Sequence, residues 1–328
     1  MAEGPRHDII VIGASLGGVQ AIRNLVANLP RDLPAAVFVV QHVSPEAQGL
    51  FAQMLNRVGP LTVGLAVDGA PIEHGRVYVA PPDRHLLLVP DRVRAVYGPR
   101  ENHWRPAIDP LFRSAAIAFQ SRVAAVILTG LLNDGAAGLV AVKQCGGLAV
   151  VQDPKDAQHP EMPENALAHI EPDHCVALAQ MAPLLVRLAN EPAPPPPPIP
   201  DEIRRETRVM EIAMNHAGPG EAPGTPTELT CPECGGVLWQ IGEEPTRYRC
   251  HVGHAFAEGA LLDSQNNGVE YALWAAVRAL KERGALLAKM GRTARHQNRL
   301  HAAADYEQKS QESFAHAEKL RQLLKRAG

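Results

Sequence analysis

Three side chains in the first 134 residues have the types that acyl transfer needs: the hydroxyl of Ser15, the imidazole of His42 and the carboxylate of Asp134. A serine becomes a nucleophile when an imidazole takes its proton, and a carboxylate fixes the imidazole tautomer. Each of the three lies where an apolar run stops. Ser15 ends IIVIGAS and opens LGGV, so a buried strand turns abruptly into a helix whose first N–H groups are free. His42 follows AAVFVVQ, and Asp134 follows VAAVILTGLLN. Singly, each has a plain alternative: a helix N-cap for Ser15 or Asp134, a loop imidazole for His42. Their joint placement at three strand ends favours catalysis, because ligands of open α/β sheets gather at the carboxyl ends of strands.

Other chemistry at the glycine-rich turn fits less well. A dinucleotide site wants G-x-G-x-x-G and an acidic residue about 20 residues later. Here the turn reads G-A-S-L-G-G, and the next strand ends in Gln41-His42. The chain order Ser, His, Asp also differs from that of α/β-hydrolases, chymotrypsin and subtilisin.

A second set lies late in the chain. Cys231 and Cys234 form a C-x-x-C knuckle, and fifteen residues on, Cys250 opens CHVGH. Three soft thiolates and an imidazole suit a structural zinc better than redox chemistry. For the fourth ligand His254 is preferred to His251, whose adjacency to Cys250 would strain a chelate. Cys145 and Cys175 stand alone among apolar neighbours and read as reduced core residues.

The elements that would position these residues follow from periodicity. Strands are predicted near 8–13, 35–41, 62–66, 76–80, 123–128 and 147–151, and helices near 17–28, 46–56, 109–119, 135–144 and 178–190. His85 to Tyr97 reads as a β-hairpin turning at Pro90-Asp91. The fold class is therefore α/β, a doubly wound, mostly parallel sheet with a hairpin insertion. A chain of 328 residues with 46% hydrophobic content has room for more than one domain. A net charge of −3 gives no basic field for nucleic acid, and no apolar run suggests membrane insertion or a secretory signal. A cytoplasmic location is expected.

The motifs IGASxGG, QH at Gln41, RPAIDPLF from Arg105, LTGxxxDGAxGL around Asp134, QDP at Gln152 and PEMPENA from Pro160 together resemble the catalytic domain of CheB-type chemotaxis receptor methylesterases. The resemblance spans roughly residues 8–190. It implies hydrolysis of γ-glutamyl methyl esters on the cytoplasmic helices of methylated chemoreceptors, with glutamine deamidation by the same route. It assigns Ser15 as nucleophile, His42 as general base and Asp134 as the orienting carboxylate, with no cofactor for catalysis. The backbone N–H of Leu16, just past the nucleophile, is the first oxyanion donor expected, and Leu131 is the second. His103 and Arg105, in ENHWRP, are expected near the substrate groove. Two departures stand out: Leu132 occupies a position where the family usually has glycine, and the match begins almost at Met1, leaving no room for the usual receiver domain.

The expected domains are the esterase at 1–190, a Pro/Gly-rich linker with a short helix near Ile203 to Met214 at 191–228, a zinc-ribbon module at 229–262 and a helical hairpin at 263–328. The run EPAPPPPPIP reads as a semi-rigid spacer, and a spacer suggests a recruiting module whose removal leaves the esterase intact. The ribbon resembles extensions of receiver-less relatives. The hairpin, with Val269, Leu273, Val277, Leu280, Leu287 and Met290 on one stripe and a basic break at Arg292 to Arg299, could mediate self-association. The rival reading of the whole is a non-catalytic adaptor using an esterase fold as a docking platform.

Overall fold

The computed structural model describes residues 4–47, 49–207, 224–242 and 246–327. Its central feature is a seven-stranded sheet built from β1 (Ile9–Ala14), β2 (Ala36–Gln41), β3 (Thr62–Leu65), β4 (Arg76–Val79), β7 (Val123–Ile127), β8 (Leu148–Gln152) and β9 (His174–Val176). The order is β3-β4-β2-β1-β7-β8-β9, and every neighbouring pair is parallel. Strands β1, β2 and β7 are buried along their whole length, which is why they read as continuous apolar runs instead of alternating ones.

Alternate residues of β1 feed two cores. Ile9 and Val11 join Phe112, Leu139 and Met162, from helices α3 (Ile108–Phe119), α4 (Ala136–Gln144) and α5 (Glu161–His169). Ile10 and Ile12 join Ile22, Leu55 and Leu185, from α1 (Gly18–Ala27), α2 (Leu50–Leu55) and α6 (Leu178–Asn190). Strands β5 (His85–Val89) and β6 (Arg92–Val96) form the hairpin as a separate antiparallel pair, with Asp91 in the left-handed region at φ 61°. The chain leaves β1 in opposite directions across the sheet, toward β2 and toward β7, so the topological switch falls at β1.

The elements not anticipated are short or disguised. β9 has three half-exposed or exposed residues, so Cys175 on this edge strand is exposed and not in the core where Cys145 lies, and α5 carries Pro163 in its first turn, where proline is tolerated but hides the helical pattern. Helix α2 starts at Leu50, later than residue 46.

The boundary expected at 190 is corrected by the packing. Residues 1–261 cluster as one compact unit, and Leu262–Gly328 as a second. Instead of spacing the C-terminal module away, the proline run lies on the esterase part. Ser121 Oγ donates to Pro194 O at 2.6 Å and Gln120 Nε2 to Pro197 O at 3.1 Å. Proline lacks the donor, so its carbonyls do the docking. Residues 201–207 form a helix, α7, that buries Ile203 in the first core. The rest of the helix expected to Met214 lies outside the described residues.

The ribbon is a four-stranded antiparallel sheet, β10 (Thr225–Thr230), β11 (Val237–Ile241), β12 (Arg247–Cys250) and β13 (Ala255–Ala257), over a small core of Cys231, Leu238, Cys250, Phe256 and Leu261. A buried ion network ties it to the esterase part. Arg249 meets Glu101 at 2.9 Å and Glu206 at 3.2 Å, and Arg113 meets the same two carboxylates at 3.0 and 3.1 Å. Arg247 also pairs with Glu206. Burial alone would raise Glu101, yet Arg113 and Arg249 hold it at about 2.

The second unit comprises most of α8 (Glu258–His296) and all of α9 (Leu300–Ala327). Within it Gly284 faces the Phe314 ring, Ser310 Oγ donates to Gly284 O at 2.8 Å, and Arg295 pairs with Glu307. Val277 is buried, whereas Val269 and Met290, at the ends of the expected stripe, are exposed. No helix among the described residues is long and apolar enough to cross a membrane.

Candidate active site

Ser15, His42 and Asp134 come from three adjacent strands, following β1, β2 and β7, and the structure brings them together. His42 Nδ1 lies 3.1 Å from Ser15 Oγ, and His42 Nε2 lies 2.7 Å from Asp134 Oδ2. A carboxylate only accepts, so it holds the ring proton on Nε2 and leaves the Nδ1 lone pair facing the hydroxyl.

The turn that carries Ser15 is braced on all sides. Ser15 N–H donates to Thr129 O at 3.0 Å, Gln41 Nε2 donates to Ser15 O at 2.7 Å, and Thr129 Oγ1 donates to Leu16 O at 3.1 Å. Gly17 has φ 79°, the left-handed conformation that lets a strand turn into α1 without a Cβ penalty. Gly130 marks a close approach: a Cβ there would sit 2.0 Å from Met162 Sδ and 2.8 Å from Ser15 Cβ.

Asp134 is 2% exposed and fully engaged. Oδ2 also accepts from Ile108 N–H at 2.7 Å, and Oδ1 accepts from Asn102 Nδ2 at 3.0 Å and Asp109 N–H at 3.2 Å. Burial pushes its pKa up, but donation from His42, Ile108 and Asn102 outweighs that and holds the carboxyl below its usual range. The second buried carboxyl, Asp109, behaves oppositely: burial and the nearby Asp134 charge push it up to about 7. Trp104 stacks on the His42 ring, with centroids 4.4 Å apart and planes 8° from parallel.

Asn102, Trp104 and Asp109 escape sequence reasoning. All three lie in the ENHWRPAID segment, but nothing local says that Asn102 and Asp109 reach a carboxylate 32 and 25 residues away, or that Trp104 reaches His42. The two residues that the segment did suggest are used elsewhere. Arg105 donates to Asp83 Oδ1 through Nε at 2.9 Å and Nη2 at 2.6 Å, and its guanidinium lies 3.8 Å over the Tyr97 ring. His103 Nε2 donates to Ala260 O at 2.9 Å. Both are therefore tied to the scaffold through these contacts.

Leu132 keeps the backbone angle that a glycine would take, with φ 63°, and Asn165 Nδ2 anchors its carbonyl at 2.7 Å. Gly130 N–H is occupied by His159 O, while among the described residues Leu16 and Leu131 N–H have no acceptor. Both leucines are exposed, at 49% and 43%, on either side of the half-buried Ser15. A cleft of about 280 Å³ runs between the Leu132–Ala137 loop, α5 and the ribbon residues Ala257 to Gly259.

The profile of the CheB methylesterase family matches residues 10–185. The chain belongs to the CheB methylesterase family. A relative from Leptospira interrogans, provisionally named a protein-glutamate methylesterase/protein-glutamine glutaminase, is 37% identical over 183 residues, covering 56% of this chain and 95% of its own. A protein-glutamate methylesterase/protein-glutamine glutaminase of Pectobacterium atrosepticum is 39% identical over 178 residues, covering 53% of this chain and 51% of its own. The crystal structure of the Thermotoga maritima CheB methylesterase catalytic domain superposes with a TM-score of 0.53 at 32% identity, over 57% of this chain and all of that one. In this CheB-family chain the sheet, its strand-end loops and the three candidate residues all fall within the matched span.

The cysteine and histidine set lies beyond that span. The ligand atoms of Cys231, Cys234, Cys250 and His254 all fall within 4.8 Å of one another. The Cys234–Cys250 sulfurs are 3.7 Å apart, and His254 Nδ1 is 3.5 Å from Cys250 Sγ and 3.8 Å from Cys231 Sγ. A tetrahedral zinc with bonds of about 2.3 Å to sulfur and 2.0 Å to nitrogen has edges of about 3.5–3.8 Å, so the residues fit that ion. Donation from Cys231 pulls the Cys250 thiol down against its burial, with His254 and Cys234 adding to the effect. His251 is exposed.

Proposed function

We propose that this CheB-family chain is a serine hydrolase that removes methyl groups from γ-glutamyl methyl esters of chemoreceptors. The observation that carries this reading is the Ser15–His42–Asp134 chain of contacts at 3.1 and 2.7 Å. Ser15 Oγ attacks the ester carbonyl as its proton passes to His42 Nδ1. The oxyanion is met by the N–H of Leu16, at the amino end of α1, and by that of Leu131. The tetrahedral intermediate collapses, and His42 returns the proton to the leaving methanol. Water then attacks the acyl-enzyme, gives its proton to His42 and releases the γ-carboxylate, after which Ser15 regains its proton. A glutamine side chain follows the same course with ammonia leaving, as the names of the relatives suggest for those proteins.

Zinc is the occupant proposed for the Cys231, Cys234, Cys250 and His254 set, as a structural cross-link that takes no part in the bond-making steps. The reading is tested by methanol release from a methylated chemoreceptor cytoplasmic fragment. The wild type releases methanol and Ser15→Ala does not; equal release by both would remove Ser15 from the chemistry.

A further inference from the structure

The loop Glu101 to Trp104 touches the triad on one side and the ribbon on the other. Toward the triad, Asn102 Nδ2 bridges two buried carboxylates, Asp134 Oδ1 at 3.0 Å and Asp109 Oδ2 at 2.9 Å, and Trp104 lies flat on His42. Toward the ribbon, Asn102 Oδ1 accepts from Ala257 N–H at 2.8 Å, Asn102 N–H donates to Ala255 O at 2.8 Å, and Ala255 N–H donates to Arg100 O at 3.2 Å. Glu101 is gripped by Arg249 of β12. In effect residues 100–102 add a strand to the free edge of β13.

This arrangement decides which way the Asn102 amide faces. One end meets a donor and the other meets two carboxylates, so only one orientation satisfies all three partners. The donor that anchors the carbonyl end, Ala257 N–H, belongs to the ribbon. Asn102 and His103 are also held at φ 49° and 72°, a consecutive left-handed pair that persists only where the surroundings enforce it. The enforcing strand follows directly from the metal-ligand set, because Ala255 is bonded to His254, and Cys250 N–H donates to His254 O at 2.9 Å.

We propose that Asn102 is a positioning residue for the Asp134–His42 pair, and that the ribbon acts as an internal prop for the reaction by fixing Asn102 through Ala257. The inference rests on the esterase reading. It gives the C-terminal module a role at the active site, in place of the recruiting role suggested by the proline run. A metal-bound ribbon presents the β13 edge in register, the amide donates to Asp134, and the carboxylate stays aimed at His42 Nε2. With the edge lost, the Asn102 side chain loses its anchor and can swing away from the pair, and Asp134 loses a donor.

The test uses the full zinc-loaded chain in a two-by-two cycle of Asn102→Ala and Ala257→Pro, with a chromogenic acetate ester as substrate. Proline deletes the Ala257 donor on the side of β13 that faces Asn102, leaving the metal ligands and the triad residues in place. Each single variant is expected to lower kcat about tenfold to a hundredfold, the range for one hydrogen bond to a charged group, with KM nearly unchanged. Each should also shift or broaden the low-field proton resonance of the His42–Asp134 hydrogen bond. The double variant should lose no more than Asn102→Ala alone, because both act through one contact. Multiplicative losses, or a folded, metal-bound Ala257→Pro with wild-type kcat and resonance, overturn the proposal. If Ala257→Pro does not fold, metal removal by a chelator replaces it in the same cycle, and should slow the wild type but not Asn102→Ala. Should the wild type and Ser15→Ala turn the ester over equally, the esterase reading fails on its own. The low-field resonance then still decides whether the ribbon sets the pair.

Discussion

Asp134 accepts hydrogen bonds from His42, Ile108, Asn102 and Asp109, which fills the acceptor sites of a carboxylate. Asp134→Asn keeps the shape but presents an amide with fewer acceptor sites, so the imidazole turns its N–H toward Ser15 and the base is lost. Turnover of a small ester should fall by about 10⁴ while the unfolding midpoint moves far less than a core truncation would; a loss under tenfold would contradict the orienting role. Leu132 gives a second test at this scale. A left-handed leucine costs about 1–2 kcal/mol, and glycine gives back part of this through its freer unfolded chain. Leu132→Gly should therefore hold or raise stability by up to about 1 kcal/mol in urea unfolding, whereas substitution at an ordinary loop φ would lower it.

The elements that matter most for the site are the β13 edge, the 100–104 loop and the buried ion network behind them. Glu101 is held at about 2, below its ordinary 4.5. Its pairing stabilises the fold fully above about pH 4.5, and that contribution is lost as pH falls from there through 2. The shift is worth on the order of 3 kcal/mol. Urea midpoints should thus drop steeply below pH 4.5, and Glu101→Gln should flatten that dependence from an already lower starting value. A wild-type profile that stays level to pH 3 would show that the two arginines do not hold the proton off.

For the whole molecule, the compact unit that holds the site runs from 1 to 261, past the boundary expected at 190. A chain ending at 190 loses Ile203 from the core, and with Glu206 and Arg249 gone the buried Arg113 and Glu101 each lose an ion partner. Breaking such a buried network costs about 3–5 kcal/mol. Truncation at 190 should therefore lower the thermal midpoint and the turnover together, while full-length protein stripped of metal should melt earlier than the zinc-loaded form by calorimetry. A truncated chain as stable and active as the full one would restore the detachable-module picture.

The sequence by itself determined the parallel sheet, because strands buried on both faces have to be continuously apolar, and IIVIGA, AVFVVQ and VAAVI are. It also pointed to the three candidate residues, since each sits where such a run ends, and to the cluster of Cys231, Cys234, Cys250 and, preferred over His251, His254, since that spacing is local. The tertiary structure decided everything that depends on contact across long stretches of chain. Arg105 pairs with Asp83 and His103 with Ala260, the proline run adheres to the esterase part, and Asn102 joins Asp134 to a strand 155 residues beyond itself. A side chain's type and neighbours in sequence set what it can donate or accept. Which partner it meets depends on the packing of elements that the local pattern does not encode.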